Sequence, residues 1–127
     1  MEKILYPELS YKLVGLLFSV HNDLGCFRNE KQYSDAIERG LKSLKVPYMR
    51  EFHLPQSFEG ENKNRNIVDF VVDDKIILEV KTKTAIVKED YLQVKRYLVS
   101  SSFKLGILVN FRRKYLTPKR ILRGNHS

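Results

Sequence analysis

The 127 residues include a single cysteine, Cys26, so the chain closes no internal disulfide and builds no cysteine-based zinc site. A reducing, cytoplasmic compartment is the one expected for it. The three histidines, His21, His53 and His126, lack the paired spacing of a His-based metal site, and His21 reads as a hydrogen-bonded packing residue on a helix. No stretch approaches the ~18 apolar residues of a membrane span. The N-terminal MEKILYPELSYK lacks the basic start and uninterrupted apolar run of a signal peptide. Internal repeats and low-complexity segments are absent too. Acid is in deficit: 15 Asp and Glu stand against 23 Lys and Arg, a formal net charge of +8 with a pI near 9.6. That excess favours a polyanionic partner but argues affinity only, not activity. With 43% hydrophobic residues the chain is long enough for one real core and too short for a second, so residues 1–127 are expected to form one domain.

The hydrophobic pattern predicts the order α-α-β-β-β-α-β with a basic segment, 112–127, at the end. Pro7 suits a helix's first turn, and Leu9, Leu13, Leu16, Leu17, Val20 and Leu24 form a helical stripe that Gly25 ends. A second helix is predicted from about Asn29 to Leu44. Tyr48 to Leu54 reads as a strand, and Gln56 to Asn66 as a polar loop. A third helix covers Ile86 to Ser101. Lys104 to Phe111 holds LGILVNF, suited to a buried strand parallel to an earlier one, because a helix crosses between them.

Ile67 to Lys81 is the most informative stretch. IVDFVV-DDK-IILEVK reads as a β-hairpin in which two apolar runs are interrupted by Asp69, Glu79 and Lys81. If Val68, Phe70, Val72, Ile76, Leu78 and Val80 share one face, then 72 opposes 76, 70 opposes 78 and 68 opposes 80. Asp73 to Lys75 becomes a three-residue loop, and Asp69 lies opposite Glu79 with Lys81 beside them. Burying an unpaired charge costs several kcal/mol or more, so those groups need compensation. Two adjacent carboxylates raise each other's pKa unless a cation sits between them. Paired oxygen ligands suit a hard divalent ion such as magnesium, which polarises a phosphodiester and activates a bound water. Lys81 is placed to orient that water or neutralise charge in the transition state. A surface hairpin with a salt-bridged solvent face produces the same pattern, and both readings stand at this level.

The order of an acid on an early helix, D, E-x-K, and a helix carrying Q-x-x-x-Y resembles the PD-(D/E)XK nuclease superfamily, and the flanking segments resemble its small GxxExxY branch. The segments concerned are VHNDLG at Val20 to Gly25, Glu30 and Tyr33, IVDFVVDDKIILEVK, QVKRYL at Gln93 to Leu98, and LGILVNF at Leu105 to Phe111. The resemblance implies a restriction-endonuclease-like α/β core, a mixed central β-sheet flanked by helices, and magnesium-dependent cleavage of nucleic acid, with manganese able to substitute. By the same resemblance Asp69 and Glu79 match the metal-binding acids, Lys81 the catalytic lysine, Gln93 a glutamine approaching from the following helix, and Glu30 the acid of the early helix. The chain departs from the pattern at GCFRNE, where the family has a glycine-rich stretch, and at Val68, where the superfamily has proline.

Glu30 has a structural alternative, since an acid at a helix start is favourable through the helix dipole. Gln93 and Tyr97 lie one turn apart and read as site-facing or as an amphipathic boundary. Tyr33 reads as core. Lys83, Lys88, Lys95 and Arg96 surround the site in sequence as phosphate contacts or solvated lysines and arginines. Arg112, Arg113 and Lys114, continued by Lys119, Arg120 and Arg123, form the densest basic run, a backbone grip with Tyr115 or a tail. Three functions remain: a nuclease, with DNA preferred over RNA; a nucleic-acid-binding module of the same fold without turnover; and a basic protein-interaction adaptor. A homodimer is compatible with the sequence, a membrane partner is not.

Overall fold

The computed structural model describes residues 4–124, so the last three residues of the basic segment, His126 among them, lie outside the described residues, as do residues 1–3. Helices α1 (Pro7–Leu24) and α2 (Glu30–Ser43) come first, followed by β1 (Tyr48–His53), β2 (Ile67–Val72), β3 (Ile76–Lys81), α3 (Lys88–Val99), β4 (Leu105–Asn110) and β5 (Lys119–Leu122). The five strands form one mixed sheet in the order β1-β2-β3-β4-β5, with only the β3–β4 pair parallel. That pair is the one bridged by α3, as a helical crossover requires. Among the described residues no helix is long and apolar enough to cross a membrane.

Both faces of the sheet are covered, which explains the nearly continuous apolar runs of β3 and β4. On one side Phe70, Val72, Ile76, Leu78 and Val80 pack with Leu13, Leu17, Ile37 and Leu41 of α1 and α2. On the other, Val71, Ile77 and Leu108 pack with Val94, Tyr97 and Leu98 of α3. Tyr33, fully buried, stacks on Phe111 with ring centroids 4.3 Å apart. His21 is the packing residue expected, its Nε2 lying 2.8 Å from the Arg113 carbonyl. Arg50 on β1 reaches Asp35 and Glu38 of α2 at 2.8 and 2.9 Å, which fixes that helix against the sheet edge.

The hairpin register is as expected over Phe70↔Leu78, Val71↔Ile77 and Val72↔Ile76, with Asp73 and Asp74 at φ 51° and 54° making the tight loop. Beyond that point the expectation fails. The β2–β3 ladder stops before Asp69 and Glu79, and Val68, expected opposite Val80 on the α1–α2 face, packs instead with Val71 and Ile77 beneath α3. The β1–β2 ladder skips the same level, passing from Arg50↔Phe70 to Phe52↔Val68 around Glu51, whose φ is 52°. A left-handed residue reverses which side of the strand the next side chain occupies, so the alternation changes phase there.

The basic end differs from the expectation as well. Residues 119–122 are not a tail but an edge strand antiparallel to β4. Arg120 donates to Ser10 Oγ and the Leu5 carbonyl, and Arg123 donates to the Ser101 carbonyl, so both guanidinium groups fasten this strand to the body.

Candidate active site

Where the β2–β3 ladder stops, two carboxylates replace its missing carbonyls. The Asp69 amide donates to Glu79 Oε1 at 2.9 Å, and the Val80 amide donates to Asp69 Oδ2 at 2.7 Å. Each side chain thus satisfies an amide that the splayed backbone leaves unpaired, which holds the two acids side by side under α3. Glu79 is only 4% exposed and Asp69 half-buried. Burial pushes the Glu79 carboxyl up to about 8, with the Asp69 charge adding to the shift. Burial also raises Asp69, and the nearby charges of Glu30 and Glu51 push the same way against Lys81.

Lys81 ends β3 on the same side, and its Nζ donates to Gln93 Oε1 of α3 at 3.0 Å. One turn along that helix, Tyr97 is 7% exposed, and its hydroxyl is pushed up to about 12 by burial and by the charges of Glu79 and Asp69. Asp69, Glu79, Lys81, Gln93 and Tyr97 therefore meet in one place. Glu30 stands at its rim: it is exposed at the first position of α2, and its charge helps raise both buried acids. Asn29 caps that helix, accepting from the Gln32 amide at 2.8 Å while Gln32 Oε1 accepts from the Asn29 amide at 2.9 Å. Asn29→Ala is expected to cost about 0.5–2 kcal/mol, measured by denaturant unfolding, because it orphans one end of this reciprocal cap.

Sequence reasoning missed Glu51. Its place opposite Asp69 follows from extending the β1–β2 register, yet nothing in YMREFH marks the left-handed turn of the backbone. Asn110 was also missed. Its side chain accepts from the Lys83 amide and donates to the Lys83 carbonyl, tying the segment after Lys81 to the end of β4.

The basic residues separate into free and engaged ones. Lys83 pairs with Asp90 at 2.8 Å, Lys95 donates to the Leu122 carbonyl, and Arg96 pairs with Glu89 at 2.7 Å. Arg112 turns inward, donating to the Arg28 carbonyl while its Nε is buried without a partner. Lys88, Arg113 and Lys114 are exposed, and Lys114 lies over the Tyr115 ring. Arg113 and Lys114 line a cavity of about 390 Å³ on the β4–β5 side, whereas Arg96 shares a larger cleft with Gln93 and Tyr97.

The donor chemistry suits a hard divalent ion. Among the described residues no group of three or more His, Cys, Asp and Glu side chains stands ready to hold a metal, so the set is the Asp69–Glu79 pair. Each has one oxygen committed to a backbone amide and a second that accepts no hydrogen bond from the described residues. Two carboxylates are what magnesium commonly takes from a protein, the rest of its shell being water or phosphate.

A family model described as the PD-(D/E)XK nuclease superfamily matches residues 7–122. No curated protein and no solved structure gives a significant match.

Proposed function

The chain belongs to the PD-(D/E)XK nuclease superfamily, and we propose that it is a magnesium-dependent nuclease hydrolysing phosphodiester bonds, with DNA preferred over RNA. The observation that carries this reading is the interlocked Asp69–Glu79 pair with the Lys81–Gln93 contact beside it. A buried and a half-buried acid side by side, both with raised pKa values, are a poor structural choice unless a cation completes them.

Asp69 and Glu79 would hold the ion through their uncommitted oxygens. A divalent ion bound there supplies Lewis-acid polarisation of the phosphodiester and lowers the pKa of an attacking water. The remaining work falls to the protein. Gln93 fixes the Lys81 amine by hydrogen bonding, so Lys81 is preorganised to orient the water or to neutralise charge that develops on the phosphate. Glu30 at the rim adds negative potential that favours the cation, and the buried Tyr97 body closes one wall against bulk water. The lone thiol, Cys26, is consistent with a reducing cytoplasm.

The test is cleavage by the purified chain of single-stranded, duplex and branched DNA and RNA, with magnesium, with manganese and with chelator. Ion-dependent cleavage supports the proposal. Salt-sensitive binding without cleavage under every condition would replace it with a binding module of the same fold.

The exposed cations supply a further check. Neutralising each phosphate steepens the log–log dependence of affinity on salt by about 0.7–0.9. The double substitution Arg113→Ala, Lys114→Ala is therefore expected to flatten that slope by up to about 2, leaving the rate at saturating substrate near wild type, since these side chains position rather than stabilise the transition state. An unchanged slope in a salt titration would move the phosphate surface to Lys88 and Arg96.

A further inference from the structure

The cleft beside the candidate active site is roomier than a scissile phosphate needs. Its volume, about 670 Å³, lies in the range of sites for small organic ligands, about 300–1,000 Å³. Phe58, Asn62 and Arg65 of the β1–β2 loop form one wall, and Gln93, Arg96 and Tyr97 of α3 form the other. Because Gln93 holds Lys81 and Tyr97 adjoins the two acids, the cleft and the candidate active site share a wall.

Three observations suit this cleft to a planar, anionic ligand. Phe58 is 64% exposed and, among the described residues, stacks on no other ring, so its face is free. The loop carrying it is held in place. The Glu61 carboxylate accepts from the Ser57 amide and hydroxyl at 2.7 Å each and from the Asn66 amide group, while the Gln56 side chain donates to the Glu61 carbonyl. The Leu54 amide closes the loop's base on the Asn66 carbonyl at 2.8 Å. Arg65 forms no ion pair among the described residues, its charge acting on the Glu61 carboxylate that also lines the cleft, and Arg96 pairs only with Glu89, a contact between two side chains more than half exposed. Such a surface pair is worth little, so the guanidinium can exchange it for a phosphate.

We infer that this cleft receives an unstacked nucleotide of single-stranded or unpaired nucleic acid next to the bond to be cut, with the base on Phe58 and the flanking phosphates on Arg65 and Arg96. A base inside continuous duplex is stacked on both faces and reaches Phe58 only by leaving the helix, which costs a few kcal/mol. The inference rests on the nuclease reading and narrows its substrate to unpaired strands.

Binding is measured first, in chelator so that nothing is cut, with single-stranded DNA, single-stranded RNA and duplex DNA of one sequence carrying a fluorescent adenine analogue. The wild-type chain is expected to bind both single strands more tightly than the duplex and to quench the analogue by stacking. Phe58→Ala should weaken single-strand binding roughly 5- to 150-fold and abolish the quenching, whereas Phe58→Trp should retain both. Arg65→Ala should flatten the single-strand salt slope by about 0.7. Cleavage with magnesium follows on the same set, where Phe58→Ala should lose the preference for single strands through KM. Equal binding of duplex and single strand, or Phe58→Ala binding like wild type, would overturn the cleft's role whether or not the chain cleaves. A single-strand preference that depends on Phe58, with no cleavage of any substrate, would uphold the cleft and overturn the nuclease reading alone.

Discussion

Lys81→Ala is expected to lower the cleavage rate at saturating substrate by about 10²–10³-fold, the loss usual for one preorganised group that stabilises developing charge. Asp69→Asn and Glu79→Gln should lower it at least as far and should also weaken binding of the divalent ion. The amides are better probes than alanine. Asp69 Oδ2 and Glu79 Oε1 are the acceptors for the Val80 and Asp69 amides, so truncating either side chain leaves a backbone donor unpaired in a half-buried place, at about 1–3 kcal/mol. Asn and Gln keep an acceptor for the backbone amide while removing the charge and replacing the uncommitted oxygen with an NH2 group. The three variants are read by single-turnover cleavage, by circular dichroism for the fold, and by calorimetric titration of the ion. Because Lys81 lies beside the acids rather than among the ligands, its variant should retain ion binding, unlike the two amide variants. Wild-type turnover in Lys81→Ala would make the Lys81–Gln93 contact a structural tie between β3 and α3.

Much of this site was legible in the sequence because strand alternation has a period of two and admits few registers. IVDFVV-DDK-IILEVK placed Phe70 against Leu78 and Val72 against Ile76, and the loop at Asp73 to Lys75 followed from those pairs. The long α3 pattern between two apolar runs likewise implied the parallel β3–β4 pair. What the pattern does not carry is the point at which a strand leaves its neighbour. Glu51 adopts φ 52° with no glycine or asparagine to announce it, and the phase change that puts Val68 under α3, at the same level of the neighbouring strand, has no signal in the residues either. Without that splay Asp69 and Glu79 would face each other across an ordinary ladder, and their oxygens would not be engaged by backbone amides. Strand β5 was hidden for a different reason. Lys119 to Leu122 is short, basic and at the sheet edge, where charge is favoured because it discourages further pairing, and the same composition describes a solvated tail. The engagement of Arg112, Arg120 and Arg123 by distant carbonyls and a serine is tertiary, and no local spacing reports it.

Without a divalent ion the protein is expected to lose stability as pH rises from about 4.5 to about 8, and a saturating ion is expected to offset that loss. Glu79 has an ordinary value of 4.5 and is raised in the fold to about 8, first by burial and then by Asp69. Between those limits the folded chain binds a proton at this group that the unfolded chain has released. Stability then falls with pH, by at most about 1.4 kcal/mol per unit, and levels off above the folded value. Asp69 is raised as well, so its contribution has the same sign and begins lower. The total is on the order of a few kcal/mol, and a thermal melt series in chelator would show it as a declining midpoint. Glu79→Gln should flatten that decline, which separates it from the titration of other groups. A divalent ion requires both carboxylates ionised, so its binding in this window displaces the proton, and its apparent affinity should rise by up to about tenfold per pH unit before levelling near pH 8. At an ion concentration about 100 times the dissociation constant the fold gains about 2.7 kcal/mol, so saturating magnesium should offset the decline most strongly at the alkaline end. The melting midpoints with and without the ion should therefore diverge as pH increases. Curves that stay parallel from pH 5 to pH 8, or a divergence that persists in Glu79→Gln, would remove the Asp69–Glu79 pair as the ion's seat.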